Sequence, residues 1–91
     1  MSVTLQIPLR LARYAGDRRE FHLEAESLTH LLNRLCHHHP DLRLRLLDGA
    51  GKLYPYFAIL HNEQRLMDDQ IEQLIVGDGD HLEIMTLASG G

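Results

Sequence analysis

Gly77-Asp78-Gly79-Asp80-His81-Leu82-Glu83-Ile84-Met85-Thr86-Leu87-Ala88-Ser89-Gly90-Gly91 is the last stretch of the sequence, and it reads as three pieces in order. The Gly-Asp-Gly-Asp cluster predicts a tight loop, because glycine takes backbone angles closed to other residues and aspartate bonds to nearby amides. His81 to Thr86 alternates, which predicts a strand with Leu82 and Ile84 inward. The final residues carry little side-chain bulk. As a C-terminus they predict a mobile tail over 87–91, thin enough to enter a narrow site and present a terminal carboxylate.

Working outward from that strand, Val3, Leu5, Ile7 and Leu9 alternate with Thr4, Gln6, Pro8 and Arg10 and predict a first strand. Tyr14-Ala15-Gly16-Asp17-Arg18 supplies turn residues, and Phe21 and Leu23 continue in a second strand, so the N-terminal part reads as a hairpin. Ser27 is a good N-cap. Leu28, Leu31, Leu32 and Leu35 then recur at helical spacing until Pro40, predicting one amphipathic helix over about Leu28 to His38 whose leucine stripe covers the sheet. For Asp41 to Gly51, Leu42, Leu44 and Leu46 fit a strand while Leu42, Leu46 and Leu47 fit a helical turn; an irregular connection with one helical turn is favoured. Tyr56 to His61 reads as a central strand, followed by a short element at Leu66 and a single turn capped by Asp68 that buries Ile71 and Leu74. Two strands, a helix and further strands describe an α+β roll with a sheet packed on one main helix. Its expected core is Leu5, Ile7, Phe21, Leu23, Leu31, Leu32, Leu35, Ile59, Leu82 and Ile84.

Composition bounds what such a roll can do. At 91 residues, 44% hydrophobic and 24% charged, the chain is one domain, 1–91, with little room for an enclosed active site. A net charge of −4 without a basic stripe argues against nucleic acid and fits an acidic face meeting a basic patch on a partner. No apolar run approaches the roughly 20 residues that span a bilayer, and Met1-Ser2-Val3-Thr4 opens a strand rather than a signal peptide. A lone Cys36 leaves no internal disulfide, so a cytoplasmic setting is expected, and the periodic patterns above predict a monomeric single domain.

The strand hairpin, the leucine-striped helix ending near His39-Pro40, the strand running into Asn62, the Gly77-Asp78-Gly79-Asp80 turn before an apolar strand and the final Gly90-Gly91 together resemble the ubiquitin-like sulfur carriers. That family includes the molybdopterin synthase small subunit, the thiamine sulfur carrier and the sulfur carrier of a cysteine pathway. The resemblance covers essentially the whole chain and implies a β-grasp fold, a mixed sheet wrapping the helix. It implies a carrier rather than an enzyme, with no bound cofactor: an E1-like partner uses ATP to adenylate the Gly91 carboxylate, a sulfur donor converts it to a thiocarboxylate, and a synthase accepts the sulfur. Gly90 is then required for the partner's narrow channel. Two departures stand out: His61 occupies a position where many relatives look aliphatic, and Met85-Thr86-Leu87 lacks a proline that often stiffens the tail.

Other chemistry is weakly supported. His37-His38-His39 point in different directions on a helix, lack an accompanying metal motif and suit a helix C-terminus, so no metal site is expected. Cys36 reads as a small helix residue, and Asp78 and Asp80 as turn-formers, so no side chain is expected to be catalytic. For docking, Leu60 on the central strand points opposite to Phe57 and Ile59, and with Met85 and Leu87 predicts an apolar patch leading to the tail. Two other functions stay open. A ubiquitin-like modifier would pass the same acyl group to target lysines, and a β-grasp interaction module would leave the tail inert.

Overall fold

A computed structural model of the chain describes residues 2–87. Strand β1 (Ser2–Gln6) pairs antiparallel with β2 (Glu20–Glu24), with Leu5 opposite Phe21 and both side chains buried. The expected alternation through Leu9 stops earlier than its pattern. Pro8 lacks an N–H and sits at φ −57°, ψ 141°, and behind it Leu9–Tyr14 winds into a 3-10 helix that buries Leu11 and Ala12. Leu9 is consequently 70% exposed rather than inward. Gly16 and Asp17, both at positive φ, complete the turn back into β2.

Helix α1 (Leu28–His38) forms where expected, with the Ser27 hydroxyl accepting from the His30 N–H at 3.1 Å. Leu28, Leu31, Leu32, Leu35 and Cys36 make up its buried face. The following connection is more regular than the sequence indicated. Pro40 starts α2 (Pro40–Leu46), its fixed φ suiting the first helical turn; Asp41 lies in that turn, with Arg43 and Arg45 in the last one, both matching the helix dipole. Leu42 and Leu46, four residues apart, are fully buried, whereas Leu44 is 72% exposed, which rules out the strand-like reading of the three leucines.

After a loop, β3 (Phe57–His61), β4 (Gln64–Arg65), α3 (Asp68–Gln73) and β5 (His81–Thr86) complete the chain. Met67, not Asp68, is the N-cap of α3, and its N–H donates to the Gln70 Oε1 at 2.7 Å. Ile71 and Leu74 reach the core only in part. The sheet order is β2-β1-β5-β3-β4: β5 is parallel to β1, with Leu5 beside Leu82, and antiparallel to β3, with Ile59 beside Ile84. The result is an α+β roll, a mixed five-stranded sheet folded around α1. Of the ten expected core residues nine are buried; Leu23 is half-buried, because β2 is an edge strand with no neighbour beyond it.

Truncation of Leu32 to alanine removes a side chain wedged between helix and sheet and is expected to cost about 2–5 kcal/mol in chemical denaturation; a change within a few tenths would contradict its placement. The β3–β4 turn offers the opposite sign. Asn62 (φ 48°) and Glu63 (φ 74°) both occupy left-handed backbone, as a two-residue hairpin loop requires, yet Glu63 carries a Cβ that disfavours it. Glu63→Gly is expected to raise stability by about 0.5–1 kcal/mol, read as a higher denaturation midpoint with unchanged slope.

Candidate functional site

The outer face of the sheet is set by strand alternation. Leu60 lies across from Glu83 and Arg65, and Ala58 across from Met85, so Leu60 and Met85 share the face opposite to Phe57, Ile59, Leu82 and Ile84. Met85 is 41% exposed and Leu60 is half-buried. The half-buried Leu87 donates its N–H to the Tyr56 carbonyl at 2.8 Å, which extends the β3–β5 pairing by one residue and brings Leu87 beside the exposed Tyr56. Tyr56 in turn stacks on Tyr54, with ring centroids 5.2 Å apart and planes inclined by 8°. Sequence reasoning placed Leu60, Met85 and Leu87 near one another but missed this aromatic pair. Gly90 and Gly91 lie outside the described residues.

At the other end of β5 the strand is moored by a polar cluster. The Asp80 carboxylate accepts from the Gly77 N–H at 2.8 Å through Oδ2, contacts His61 Nε2 at 2.9 Å through the same oxygen, and accepts from Asn62 Nδ2 at 3.3 Å through Oδ1. Asn62 Oδ1 accepts from the His81 N–H at 2.9 Å, and Asn62 N–H donates to the His81 carbonyl at 2.8 Å. The unusual His61 is therefore a strap between β3 and the loop before β5, with side chains of His61 and Asp80 only 24% and 20% exposed. The Gly77 N–H, and next the His61 contact, hold the Asp80 carboxyl below the usual carboxylate range. Asp78 ties the same loop to the first strand by accepting from the Ser2 N–H at 2.8 Å, and Gly79 takes φ +84°, where a Cβ would be strained. Both aspartates are turn-formers. A shallow cleft of about 440 Å³ beside this cluster is lined by Leu60, Asn62, Glu63, His81 and Glu83.

The remaining chemical candidates are dispersed. Cys36 is buried, and burial pushes its thiol up to about 11 while Arg43 partly opposes the shift, so the thiolate is scarce at neutral pH. His39 tilts onto Phe21 with centroids 5.7 Å apart, whereas His37 and His38 meet edge-on at 5.8 Å. Among the described residues no three His, Cys, Asp or Glu side chains are grouped as metal ligands. Thr4, His22 and Glu20 form a string across β1 and β2, with contacts of 3.1 and 3.4 Å, but the imidazole is mostly solvent-exposed and nothing excludes water from it.

Superposition on solved structures fixes what this architecture is. SAMP1 from Haloferax volcanii aligns over 100% of both chains with a TM-score of 0.81 at 24% identity. The fold is the ubiquitin-like β-grasp. Amycolatopsis orientalis CysO, solved as a BexX/CysO complex, aligns over 98% of this chain and 99% of that chain with a TM-score of 0.83 at 22% identity. Urm1 from Trypanosoma brucei aligns over 99% and 95% with a TM-score of 0.75 at 20% identity. No protein-family model matches the sequence, and no curated protein matches it. The β-grasp therefore rests on backbone geometry, and at these identities it is the fold that is shared.

The Asp80 cluster has a measurable signature. A carboxyl whose folded pKa is depressed contributes stability above its unfolded value of about 3.9, and the contribution is lost as pH falls through the folded value. Asp80→Ala is expected to cost about 1–3 kcal/mol near neutral pH by leaving the Gly77 N–H and the His61 and Asn62 side chains without their acceptor. The gap between wild type and variant should be smaller at about pH 3 than at about pH 5 in urea titrations, because the lowered Asp80 carboxyl is protonated only on the acid side.

Proposed function

We propose that the chain is a sulfur carrier whose terminal Gly91 carboxylate is activated by a partner enzyme and converted to a thiocarboxylate. The observation that carries this reading is the course of β5: it runs through the middle of a ubiquitin-like sheet, carries Met85 on the same face as Leu60 of β3, and leads at Leu87 into Ala88-Ser89-Gly90-Gly91. A carboxylate is a poor electrophile. An E1-like enzyme joins it to AMP with release of pyrophosphate from ATP. Hydrosulfide delivered by a donor protein then attacks the acyl carbon, the C–S bond forms as the C–O bond to AMP breaks, AMP leaves with the electron pair, and the S–H proton passes to solvent. The thiocarboxylate passes its sulfur to an accepting synthase and returns as carboxylate. On this reading ATP belongs to the activating partner, no side chain of the carrier is catalytic, and Gly90 provides the width and backbone freedom that the partner's channel requires.

Leu60, Met85 and Leu87 form the apolar part of the docking face. The pairing of a CysO chain with BexX in one neighbouring structure supports a carrier that meets its partner as a folded protein. A cytoplasmic location accords with the lone buried thiol; no helix among the described residues is long and apolar enough to cross a membrane. The likeness to SAMP1, a small archaeal modifier protein, supports a second reading in which the same adenylate is passed to a lysine. Lys52 is the only lysine here, so the chain offers a single acceptor for linking to itself.

Intact-mass analysis of the protein from its native host tests both. One carboxylate oxygen replaced by sulfur is the expected product; isopeptide-linked conjugates without it would favour the modifier, and an unchanged terminus under sulfur-demanding growth would reject both. Deletion of Gly91 should abolish thiocarboxylation while Cys36→Ala retains it, and the reverse result would move the chemistry to the cysteine.

A further inference from the structure

The charge of this molecule is sorted along the sheet axis in a way its net value conceals. Because β1 and β5 are parallel, the chain leaves the sheet after Gln6 and after Thr86 at the same end; Glu20 re-enters opposite Gln6, and Phe57 opposite Thr86. The 3-10 helix, the turn behind it and α2, which rests on the 3-10 helix, therefore lie toward the end of the sheet at which β5 finishes. These segments carry Arg10, Arg13, Arg18, Arg19, Arg43 and Arg45, all exposed, against Asp17 and Asp41, with Glu20 at the start of β2 and Asp48 and Lys52 in the connection to β3 at the same end. The loops at the opposite end carry Glu24, Glu26, Glu63, Asp78 and Asp80 and contain no lysine or arginine, although Arg34 of α1 reaches the Glu24 carbonyl.

The arginines at the β5 exit are held in place. Arg45 lies 4.6 Å and Arg13 5.6 Å from the centroid of the Tyr14 ring, so one aromatic ring gathers two guanidinium groups from two elements. Such contacts orient a side chain, which lowers the ordering cost of a later contact. None of the ion pairs among the described residues includes an arginine. Two like charges held together without a carboxylate await one from outside. Beside them Leu9 and Leu44 stand 70% and 72% exposed on the same two packed elements. Oriented arginines interleaved with apolar projections have the composition of a protein interface core rather than of a solvated rim.

We infer that the arginine face built from the 3-10 helix and α2 is a docking surface for an acidic protein surface on the enzyme that activates Gly91. The inference rests on the carrier reading and deepens it: the face lies at the same end of the sheet as the finish of β5, so an encounter through it approaches the enzyme with the end that carries the tail. The opposed acidic end orients the approach, since the arginine end is attracted to a carboxylate-rich surface while the far end is repelled. A second copy is a poorer occupant. Its arginine-free loops lie at the far end, so a second copy could meet this face only head to tail, a contact that forms a closed oligomer only if the rotation between copies closes.

The test uses the full chain and the host adenylating enzyme, with ATP–pyrophosphate exchange as the chemical readout and anisotropy of labelled chain as the binding readout. For R13E/R45E, folding being checked by its melt, the KM for the chain and the Kd should rise at least ~10-fold while kcat stays within about twofold. R13Q/R45Q should fall between, and E24K/E26K should bind no more weakly than wild type. Raising salt from about 50 to about 300 mM should weaken wild type more than R13E/R45E. Equal affinity of wild type and R13E/R45E, or equal losses in R13E/R45E and E24K/E26K, would overturn the arginine face. Tighter binding to a single-stranded RNA than to the enzyme, or self-association abolished by R13E/R45E, would assign the face to another occupant and overturn the inference as well. Wild type that binds the enzyme through these arginines without supporting exchange would retain the docking face and reject activation at Gly91; wild type that does not bind would reject both.

Discussion

The parallel pairing of β1 with β5 beneath the leucine face of α1 is the constraint on which this domain depends. It brings the first and last strands of the described chain side by side, so the sheet cannot be completed until β5 has formed. Val3, Leu5, Ile7, Leu82 and Ile84 are essentially without solvent exposure there, and Leu28, Leu31 and Leu35 close over them. At about 25 cal/mol per Å² of apolar surface, this burial is the dominant favourable term available to a chain of such length. The same pairing places the turn after β1 and the end of β5 together, and thereby decides which side chains surround the exit of the last strand.

Legibility in the sequence followed the range of the interactions involved. Helix α1 was readable because Ser27, the leucine spacing and Pro40 are local signals, and β5 because Leu82 and Ile84 alternate after a glycine-rich turn. The 3-10 helix was hidden by a false continuation. Leu9 keeps the two-residue period of β1 although Pro8 has already removed the N–H needed for pairing. For α2, three alternate leucines imitate a strand, and the decision falls to tertiary burial of Leu42 and Leu46 against the 3-10 helix and α1. The pairing of His61 with Asp80 spans 19 positions and could be seen only once β3 and β5 were adjacent. Leu60 and Met85 were legible as a shared face because alternation fixes direction once a strand is granted; the Tyr54–Tyr56 stack depends on a loop conformation that no period reveals.

Charge shows most clearly what composition loses. An overall value of −4 suggested an acidic protein seeking a basic partner, yet the end at which β5 finishes is arginine-rich. Net charge governs solubility and long-range repulsion, whereas encounter geometry depends on where the charges sit. Here topology performs the sorting: the excursions after β1 and α1 carry arginines to one end, and the turns before α1, β4 and β5 carry carboxylates to the other. Two sequences of identical composition with the excursions exchanged would present opposite ends to the same partner.

On the carrier reading proposed above, the terminus rather than a cleft does the chemistry, and such a chain needs a body that fixes where the terminus begins. The Asp80 cluster serves that need from the far end of β5. A slip of one residue along β1 or β3 would turn Leu82 and Ile84 outward and Met85 inward, and would displace the origin of the tail by about 3.3 Å. Burial of the two aliphatic side chains opposes such a slip, but Met85 is itself apolar, so the hydrophobic penalty is weaker than in a strictly alternating strand. Contacts of Asp80 with His61 and Asn62, and the paired bonds between Asn62 and His81, are lost when β5 slips along β3. They pin the start of the strand by polar geometry where side-chain patterning alone leaves the register under-determined. His61 thus gives up the packing an aliphatic side chain would offer there and gains a specified register, and with it a specified point from which residues 88–91 continue.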